Sequence, residues 1–303
     1  MTTTFEHHIK LNDCLDIEAN TALAVLFNSI NNTEHELSKA LLKQAINKGA
    51  LWLTRGKHTQ RLRRIKKKLQ PDDELHFYYN EAVLASKVVD AILISDEGNY
   101  SVWYKPFGML SQGSKYSDHC TINRFVEQYF IPQRPAFIVH RLDKAATGLM
   151  IIAHSKKAVR ALASMFEDRS VHGNALEKHY QIIVHGEHNK NNQPQVITTK
   201  VNGKNARSTF SCLAYDGKAD HSLISVKIDT GRKHQIRVHA ASIGMPVVGD
   251  RLHGIAKNNA EQDLQLCAVS LSFNCPFSIH EAAVVKKYFE LEEQLKPSLD
   301  TLK

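Results

Sequence analysis

Two apolar runs separated by a short polar connection constrain this chain more than any other feature. Residues 137–139 and 149–152 predict two buried strands. The connection between them contains His140, Arg141 and Asp143. Because rigid elements hold both ends of this connection, its carboxylate and guanidinium are well placed for chemistry. A charged turn with a purely structural ion pair would give the same local pattern.

Three further motifs stand in a fixed order around this connection. The four segments are Lys-Pro-Phe-Gly at 105–108, His-Arg-Leu-Asp at 140–143, Lys-His-Tyr at 178–180 and Gly-Arg-Lys-His-Gln-Ile-Arg at 231–237. Together they resemble the motifs of the RluA-type RNA pseudouridine synthases, and the resemblance covers about residues 98–280. It implies conversion of uridine to pseudouridine in structured RNA. Large-subunit ribosomal RNA is the favoured substrate and transfer RNA the alternative.

The resemblance also implies roles for individual side chains. Asp143 matches the catalytic aspartate, which either attacks C1′ of the ribose or removes the C2′ proton. Arg237 matches the arginine that pairs with this aspartate and favours its ionised form. Tyr180 matches the tyrosine that stacks on the uracil, and Ile236 matches an aliphatic wall of the base pocket.

Binding of a structured RNA requires that the target nucleotide leave its stack. The resemblance implies that Arg141 contacts the RNA and helps to fill the vacated space, and we assign His140 to the same RNA-facing group. The reaction involves no redox change and no net group transfer, so we expect no cofactor. We also expect no metal, because the sequence has neither an H-E-x-x-H motif nor paired Cys/His spacing.

The net charge of +8 is concentrated in residues 55–68, which hold eight basic residues and no acidic one. Such a concentration attracts a polyanion, and RNA is favoured over an anionic membrane because the stretch has no apolar face. A solvated charge run is the alternative interpretation. The candidate RNA-binding residues in this stretch are Arg55, Arg61, Arg63, Arg64, Lys66 and Lys67.

The pattern along the chain predicts two domains and a short arm. Residues 1–16 are polar and aperiodic and predict a flexible arm. Residues 17–82 have the order helix, helix, strand, basic loop, turn and strand, which resembles an S4 RNA-binding domain. We place the boundary within residues 80–97 and the catalytic domain at 95–295.

Within the catalytic domain, strands and helices follow in mixed order without a regular βαβ repeat. This order favours an α+β fold, and the resemblance implies a mixed, largely antiparallel central sheet flanked by helices. Strands are predicted at 178–185, 206–214, 222–229 and 264–273, and helices after Ser155, after Arg232 and at 282–295.

The cysteines and the termini bear on the compartment. The five cysteines are scattered without a C-x-x-C pair and predict neither disulfides nor a zinc site. No apolar run approaches membrane-spanning length and the N-terminus lacks a signal-peptide pattern. We therefore expect a cytoplasmic location. A monomer is expected as well. A non-catalytic RNA-binding or ribosome-assembly factor on the same fold is the alternative of a different class.

Overall fold

The computed structural model describes residues 3–11, 20–167, 176–188, 193–254, 262–277 and 285–302. The chain divides into two compact units, one of residues 1–87 and 112–124 and the other of residues 88–111 and 125–303. No helix in the described ranges is both long enough and apolar enough to cross a membrane. The division after residue 87 lies inside the predicted connector, whereas segment 112–124 was expected in the catalytic domain and instead groups with the N-terminal unit.

The N-terminal unit is an antiparallel sheet covered by helices on one face. Its elements are β1 (Thr4–Lys10), α1 (Ala22–Ile30), α2 (Lys39–Asn47), β2 (Leu51–Arg55), β3 (His58–Arg61), β4 (Glu74–Asn80) and α3 (Glu81–Ala85). The strand order is β1-β4-β2-β3. Leu75, Phe77 and Tyr79 alternate along β4 and are buried with Leu26 of α1 and Leu42 of α2. The apolar face of the sheet thus closes a core with the two helices.

The predicted flexible arm is wrong for residues 4–10, which form β1 and pair with β4 along their whole length. Phe5 is only 9% exposed and joins the core of the N-terminal unit. The alternation of apolar and polar residues at Phe5 and Glu6 is too short to predict a strand from the sequence. Pairing with β4 therefore decides that this segment is extended. Within the rest of the predicted arm, residues 1–2 and 12–16 lie outside the described residues. The predicted basic loop likewise contains a strand, β3.

The larger unit, which contains most of the expected catalytic domain, is built on one large sheet. Its elements are β5 (Ile92–Asp96), β6 (Tyr100–Lys105), α4 (Ile122–Tyr129), β7 (Phe137–Ile138), β8 (Thr147–Ala153), α5 (Lys156–Glu167), β9 (Leu176–His185), β10 (Gln195–Ile197), β11 (Ser208–Asp216), β12 (His221–Ile228), α6 (Gln235–Ser242), β13 (Leu266–Asn274) and β14 (Lys286–Glu290), followed by 3₁₀ turns at Glu293–Leu295 and Leu299–Thr301. The first three residues of α4 group with the N-terminal unit.

The main path of this sheet has the order β10-β11-β12-β9-β13-β8-β6-β5, with β14 paired to β13 and β7 paired to β8. Strands β8 and β13 run parallel, and the other described pairs in this sheet are antiparallel. The α+β fold with a largely antiparallel sheet is therefore confirmed. Strands β7 and β8 bracket residues 139–146, the connection that carries the central motif.

The predicted helix at 282–295 is wrong. Residues Lys286–Glu290 form β14, which pairs with β13, and a 3₁₀ turn follows. Phe289 is buried against Phe273 of β13, with ring centroids 6.0 Å apart, while its neighbours Tyr288 and Glu290 are exposed. The apolar spacing of this short segment fits either structure, and the open edge of β13 selects the strand. Residues 278–284 lie outside the described ranges.

Gly148 fixes the start of β8. Its φ of +110° is unfavourable for any residue with a side chain. It also pairs with Ala268 of β13, and a Cβ at this position would lie 2.4 Å from both the nitrogen and the oxygen of Ala268. The parallel contact between β8 and β13 therefore requires glycine here. This contact sets where the preceding connection, residues 139–146 (the motif loop), joins the sheet.

Replacement of Gly148 by alanine should destabilise the fold by about 2–5 kcal/mol, because backbone strain and overpacking add. The free energy of unfolding in urea measures the loss. Gly98→Ala is the matched control, since Gly98 also has positive φ (+72°) but open space around it. It should lose only about 1–2 kcal/mol. Equal losses for both variants would contradict a steric role of Gly148.

Candidate active site

Asp143 and Arg237 meet in the folded chain although 94 positions separate them. Asp143 lies in the connection between β7 and β8, and Arg237 lies on the first turns of α6. The Nη1 of Arg237 donates to Oδ2 of Asp143 at 3.3 Å. The Arg237 side chain is 5% exposed, whereas that of Asp143 is 28% exposed. A buried cation therefore holds a carboxylate that remains open to a substrate.

A second carboxylate, Asp250, holds the other side of the same guanidinium. The Nε of Arg237 donates to Oδ2 of Asp250 at 2.7 Å and the Nη2 donates to Oδ1 at 2.5 Å. The Asp250 side chain is completely buried and also accepts the N–H groups of Leu252 and His253. This bidentate contact fixes the plane of the guanidinium, so that Nη1 faces Asp143.

The electrostatics keep this buried pair ionised. Burial by itself would lower the pKa of Arg237, but hydrogen bonds and attraction from Asp250, with a further contribution from Asp143, raise the pKa overall. Burial would raise the pKa of Asp250, and its hydrogen bonds to Arg237 and to two backbone N–H groups lower it overall. A fixed positive charge is thus present beside Asp143 at neutral pH.

Lys105 makes hydrogen bonds that hold the backbone of the motif loop. Its ammonium is completely buried and donates to the carbonyls of Pro106 and Met109 at 3.0 Å each, and to that of Lys144 at 3.4 Å. The N–H of Gly108 donates to the same Lys144 carbonyl at 3.0 Å. Burial lowers the pKa of Lys105 to about 7. The first motif therefore holds the residue that follows Asp143.

Ser111 holds the residue that precedes Asp143. Its hydroxyl donates to the carbonyl of Leu142 at 2.6 Å and accepts the N–H of Leu142 at 3.0 Å. Ser111 is buried, so water does not compete for these groups. The backbone is therefore fixed on both sides of Asp143, by Lys105 and by Ser111.

Tyr180 reaches the same part of the sheet through strand pairing. It is buried on β9 and pairs with Ala268 of β13, which in turn pairs with Gly148 of β8. The backbones of Tyr180 and Gly148 are therefore separated by two strand spacings, about 10 Å. Ile236 is buried beside Arg237 at the start of α6. Tyr180 thus lies two strands away from the strand that the Asp143 loop joins.

Comparison with known proteins places the chain in a family. Residues 99–242 match the family model for RNA pseudouridylate synthase. A protein of Aquifex aeolicus described as an uncharacterized RNA pseudouridine synthase is 28% identical over 86% of this chain and 92% of its own length. The ribosomal large subunit pseudouridine synthase D of Borreliella burgdorferi is 30% identical over 63% of this chain and 64% of its own length.

Two further comparisons agree. The dual-specificity RNA pseudouridine synthase RluA of Vibrio parahaemolyticus is 28% identical over 65% of this chain and 88% of its own length. The solved structure of the human RNA pseudouridylate synthase domain-containing protein 1 has the same fold, with a TM-score of 0.51 and 19% identity over 70% of this chain and 93% of that chain. These matches support the RluA-type RNA pseudouridine synthase family. The protein is thus an isomerase that acts on RNA.

His140 of the synthase packs inside the motif loop. Its Nε2 accepts the N–H of Ile151 at 3.2 Å, which continues the pairing of β8 where β7 has ended. Its ring stacks on Phe166 of α5 at 4.5 Å, and the ammonium of Lys178 lies 4.0 Å from the centre of the same Phe166 ring. The second and third motifs are thus joined through one phenylalanine. Arg141, by contrast, is exposed.

Three of the predicted RNA-binding arginines form ion pairs within the N-terminal unit. Arg55 makes a bidentate contact with the buried Asp73, with both bonds 2.7 Å long. Arg61 lies 3.4 Å from the carboxylate of Asp118, and Arg63 donates to the same carboxylate. These guanidinium groups connect parts of the N-terminal unit, including segment 112–124.

The other three predicted RNA-binding residues of the basic stretch, Arg64, Lys66 and Lys67, do not form such ion pairs within the described residues. Arg64 and Lys66 are exposed and Lys67 is half-buried. The structure gives none of the three an ion pair with any residue in the described ranges. Arg64 and Lys66 are therefore available to a phosphate backbone, and Lys67 also lies near enough to Asp73 to lower the pKa of that carboxyl. Arg55, Arg61 and Arg63 share the two carboxylates of Asp73 and Asp118, which leaves one positive charge in excess among them.

Asp250 and Ser111 are among the site residues that were missed from the sequence. Asp250 directly follows the apolar run Val247–Val248 and Gly249, and an acid at the end of such a run was the available signal. Ser111 lies three residues after the Lys-Pro-Phe-Gly motif, and nothing in its neighbours distinguishes it from an ordinary loop serine.

Removal of the Ser111 hydroxyl should affect both stability and rate. Ser111→Ala leaves the buried backbone groups of Leu142 unpaired, and we expect a loss of about 1–3 kcal/mol in unfolding free energy. We also expect a lower single-turnover rate, because Asp143 is held less firmly. Ser164→Ala is the control: Ser164 is exposed and donates within α5, and it should cost about 0.5 kcal/mol or less. A wild-type rate in Ser111→Ala would contradict the positioning role.

Proposed function

We propose that the synthase isomerises specific uridines in large-subunit ribosomal RNA, with Asp143 acting on the ribose. The observation that carries this proposal is the partly exposed Asp143 carboxylate held by the buried Arg237, which Asp250 fixes from behind. Support for the RNA target comes from relatives named as large-subunit synthases and from the basic residues of the N-terminal unit.

The reaction breaks the bond between C1′ and N1, turns the uracil within the site and joins C1′ to C5. Asp143 either attacks C1′ and forms a covalent intermediate, or removes the C2′ proton. Arg237 holds the carboxylate through a charge-assisted hydrogen bond at the start of either route. Tyr180 stacks on the detached base and relays the proton that leaves C5, and Ile236 lines the base pocket. The proton lost from C5 is balanced by the one gained at N1.

RNA is recognised by two parts of the chain in this proposal. The N-terminal unit acts as an S4-like RNA-binding domain, and Arg64, Lys66 and Lys67 contact phosphates without reading sequence. Arg141, exposed next to Asp143, fills the space that the extruded nucleotide leaves. Extrusion costs a few kcal/mol, which the contacts to the flanking RNA must offset. Ribosomal RNA as substrate would place the synthase in the cytoplasm.

Transfer RNA is the second candidate substrate. The observation that favours it is the similarity to a relative named as a dual-specificity synthase, 88% of whose length aligns with this chain. Mapping of pseudouridine in total RNA from cells with and without the gene distinguishes the two. Loss of sites in ribosomal RNA supports the first candidate, and loss only in transfer RNA supports the second.

Asp143→Asn should abolish pseudouridine formation while RNA affinity and thermal stability stay close to wild type. The amide keeps the size of the side chain but can neither attack C1′ nor accept a proton as a carboxylate does. Pseudouridine in a substrate transcript is measured after a single turnover. Asp229→Asn, at an exposed carboxylate paired with Arg207, is the control and should be fully active. Measurable turnover by Asp143→Asn would refute the assignment.

Charge reversal at Arg64, Lys66 and Lys67 should weaken binding to RNAs of unrelated sequence and reduce the dependence of log Kd on log salt concentration by about two to three units. The control reverses three lysines in the catalytic unit, Lys156, Lys157 and Lys218, which are all exposed. Both variants change the net charge equally. The same loss of salt dependence in both would show that overall charge, rather than this surface, attracts the RNA.

A further inference from the structure

His234 occupies an unusual backbone position beside Asp143. It is the residue before α6 and has a left-handed conformation, with φ of +59° and ψ of +19°. Residues with a side chain rarely adopt this conformation, and it is often found at functional sites. The His234 side chain makes no hydrogen bond that caps the helix. Instead, its ring lies against the carboxylate of Asp143.

Both ring nitrogens of His234 face polar partners. The Nε2 lies 3.7 Å from Oδ2 of Asp143, and the Nδ1 lies 3.1 Å from Nε2 of His253. His253 belongs to the turn that begins at Asp250, where Oδ1 of Asp250 accepts its backbone N–H at 3.0 Å. The turn that holds Arg237 therefore also carries the histidine that contacts His234.

These contacts favour one placement of the hydrogens on both rings. The Asp143 carboxylate can only accept, and at 3.7 Å, beyond hydrogen-bond distance, it attracts a hydrogen on Nε2 of His234 electrostatically. In the neutral ring the Nδ1 is then a lone pair, which accepts from Nε2–H of His253. In this arrangement Nε2–H of His253 donates to Nδ1 of His234, and Nε2–H of His234 points toward the carboxylate of Asp143.

Both contacts to the Asp143 carboxylate reach the same atom. Arg237 and His234 lie 3.3 and 3.7 Å from Oδ2. We propose that His253 and His234 are positioning residues that, together with Arg237, hold Oδ2 of Asp143 and present Oδ1 to the ribose. This inference rests on the proposed function, because it assigns the reacting oxygen of Asp143.

The arrangement makes the rate depend on the charge of His234. The groups that face its ring are Asp143, Arg237, His253 and Lys233. Burial lowers the pKa of His234; the Asp143 carboxylate raises it in part, and the three basic neighbours lower it further. His234 is therefore neutral at neutral pH. Protonation of Nδ1 removes the acceptor for His253, so the rate should fall on the acid side as His234 gains its proton.

Two variants of His253 test the inference. His253→Leu has no donor, whereas His253→Gln can place an amide N–H near the same point. We expect His253→Leu to lower the single-turnover rate about tenfold with unchanged RNA affinity, and His253→Gln to recover most of the rate. Because His253→Leu has already lost the contact that protonation of His234 would break, the acid limb of its pH–rate profile should flatten relative to wild type.

The inference is overturned if His253→Leu has the wild-type rate and pH profile. It is also overturned if the Leu and Gln variants lose rate equally and both bind RNA more weakly, because a purely structural role would act in that way. Unfolding measurements on both variants identify a loss of stability, and the rescue by glutamine remains decisive because the two side chains differ in the donor.

Nitrogen-15 NMR of the histidine rings gives a readout that does not depend on activity. We expect an unprotonated Nδ1 and a protonated Nε2 for His234 at neutral pH, with the signals assigned by their loss in His234→Gln. Protonation at Nδ1 instead would overturn the inference. A protein that shows the expected tautomer but forms no pseudouridine in any RNA would refute the proposed function and still support the His253–His234 arrangement.

Discussion

The catalytic unit depends on one guanidinium shared by two carboxylates. Asp250, which is completely buried, takes two nitrogens of Arg237, and the partly exposed Asp143 takes the third. A buried carboxylate opposite a buried guanidinium tolerates the loss of water because both ions are paired and hydrogen-bonded. The rigid half of the arrangement is thus Asp250 with Arg237, and the half that is open to substrate is Asp143.

Four residues hold the loop that carries Asp143. Lys105 and Ser111 fix the backbone on either side of Asp143. Gly148 lets the loop join β8 at the closest approach to β13. His140 attaches the start of the loop to β8. A carboxylate on such a loop loses little freedom when it reacts, which is the condition for effective positioning of a catalytic group.

Positive charge in the N-terminal unit serves two purposes. Arg55, Arg61 and Arg63 neutralise the carboxylates of Asp73 and Asp118, and these ion pairs hold the unit together. The neighbouring Arg64 and Lys66 are exposed and keep their charges toward solvent. Charge density alone therefore overestimates the surface that RNA can use, and the acidic partners determine the difference.

The sequence by itself determined the family, the α+β class and most elements of the large sheet, because period-two patterns and motif order are local properties. It also suggested the pair of Asp143 and Arg237, through the resemblance. Only the tertiary structure decided that Thr4–Lys10 and Lys286–Glu290 are strands, since the pairing edges that select them lie far away in the chain. Asp250, Ser111 and the His253–His234 contact were likewise decided there, because hydrogen bonds between distant segments leave no periodic signal in the sequence.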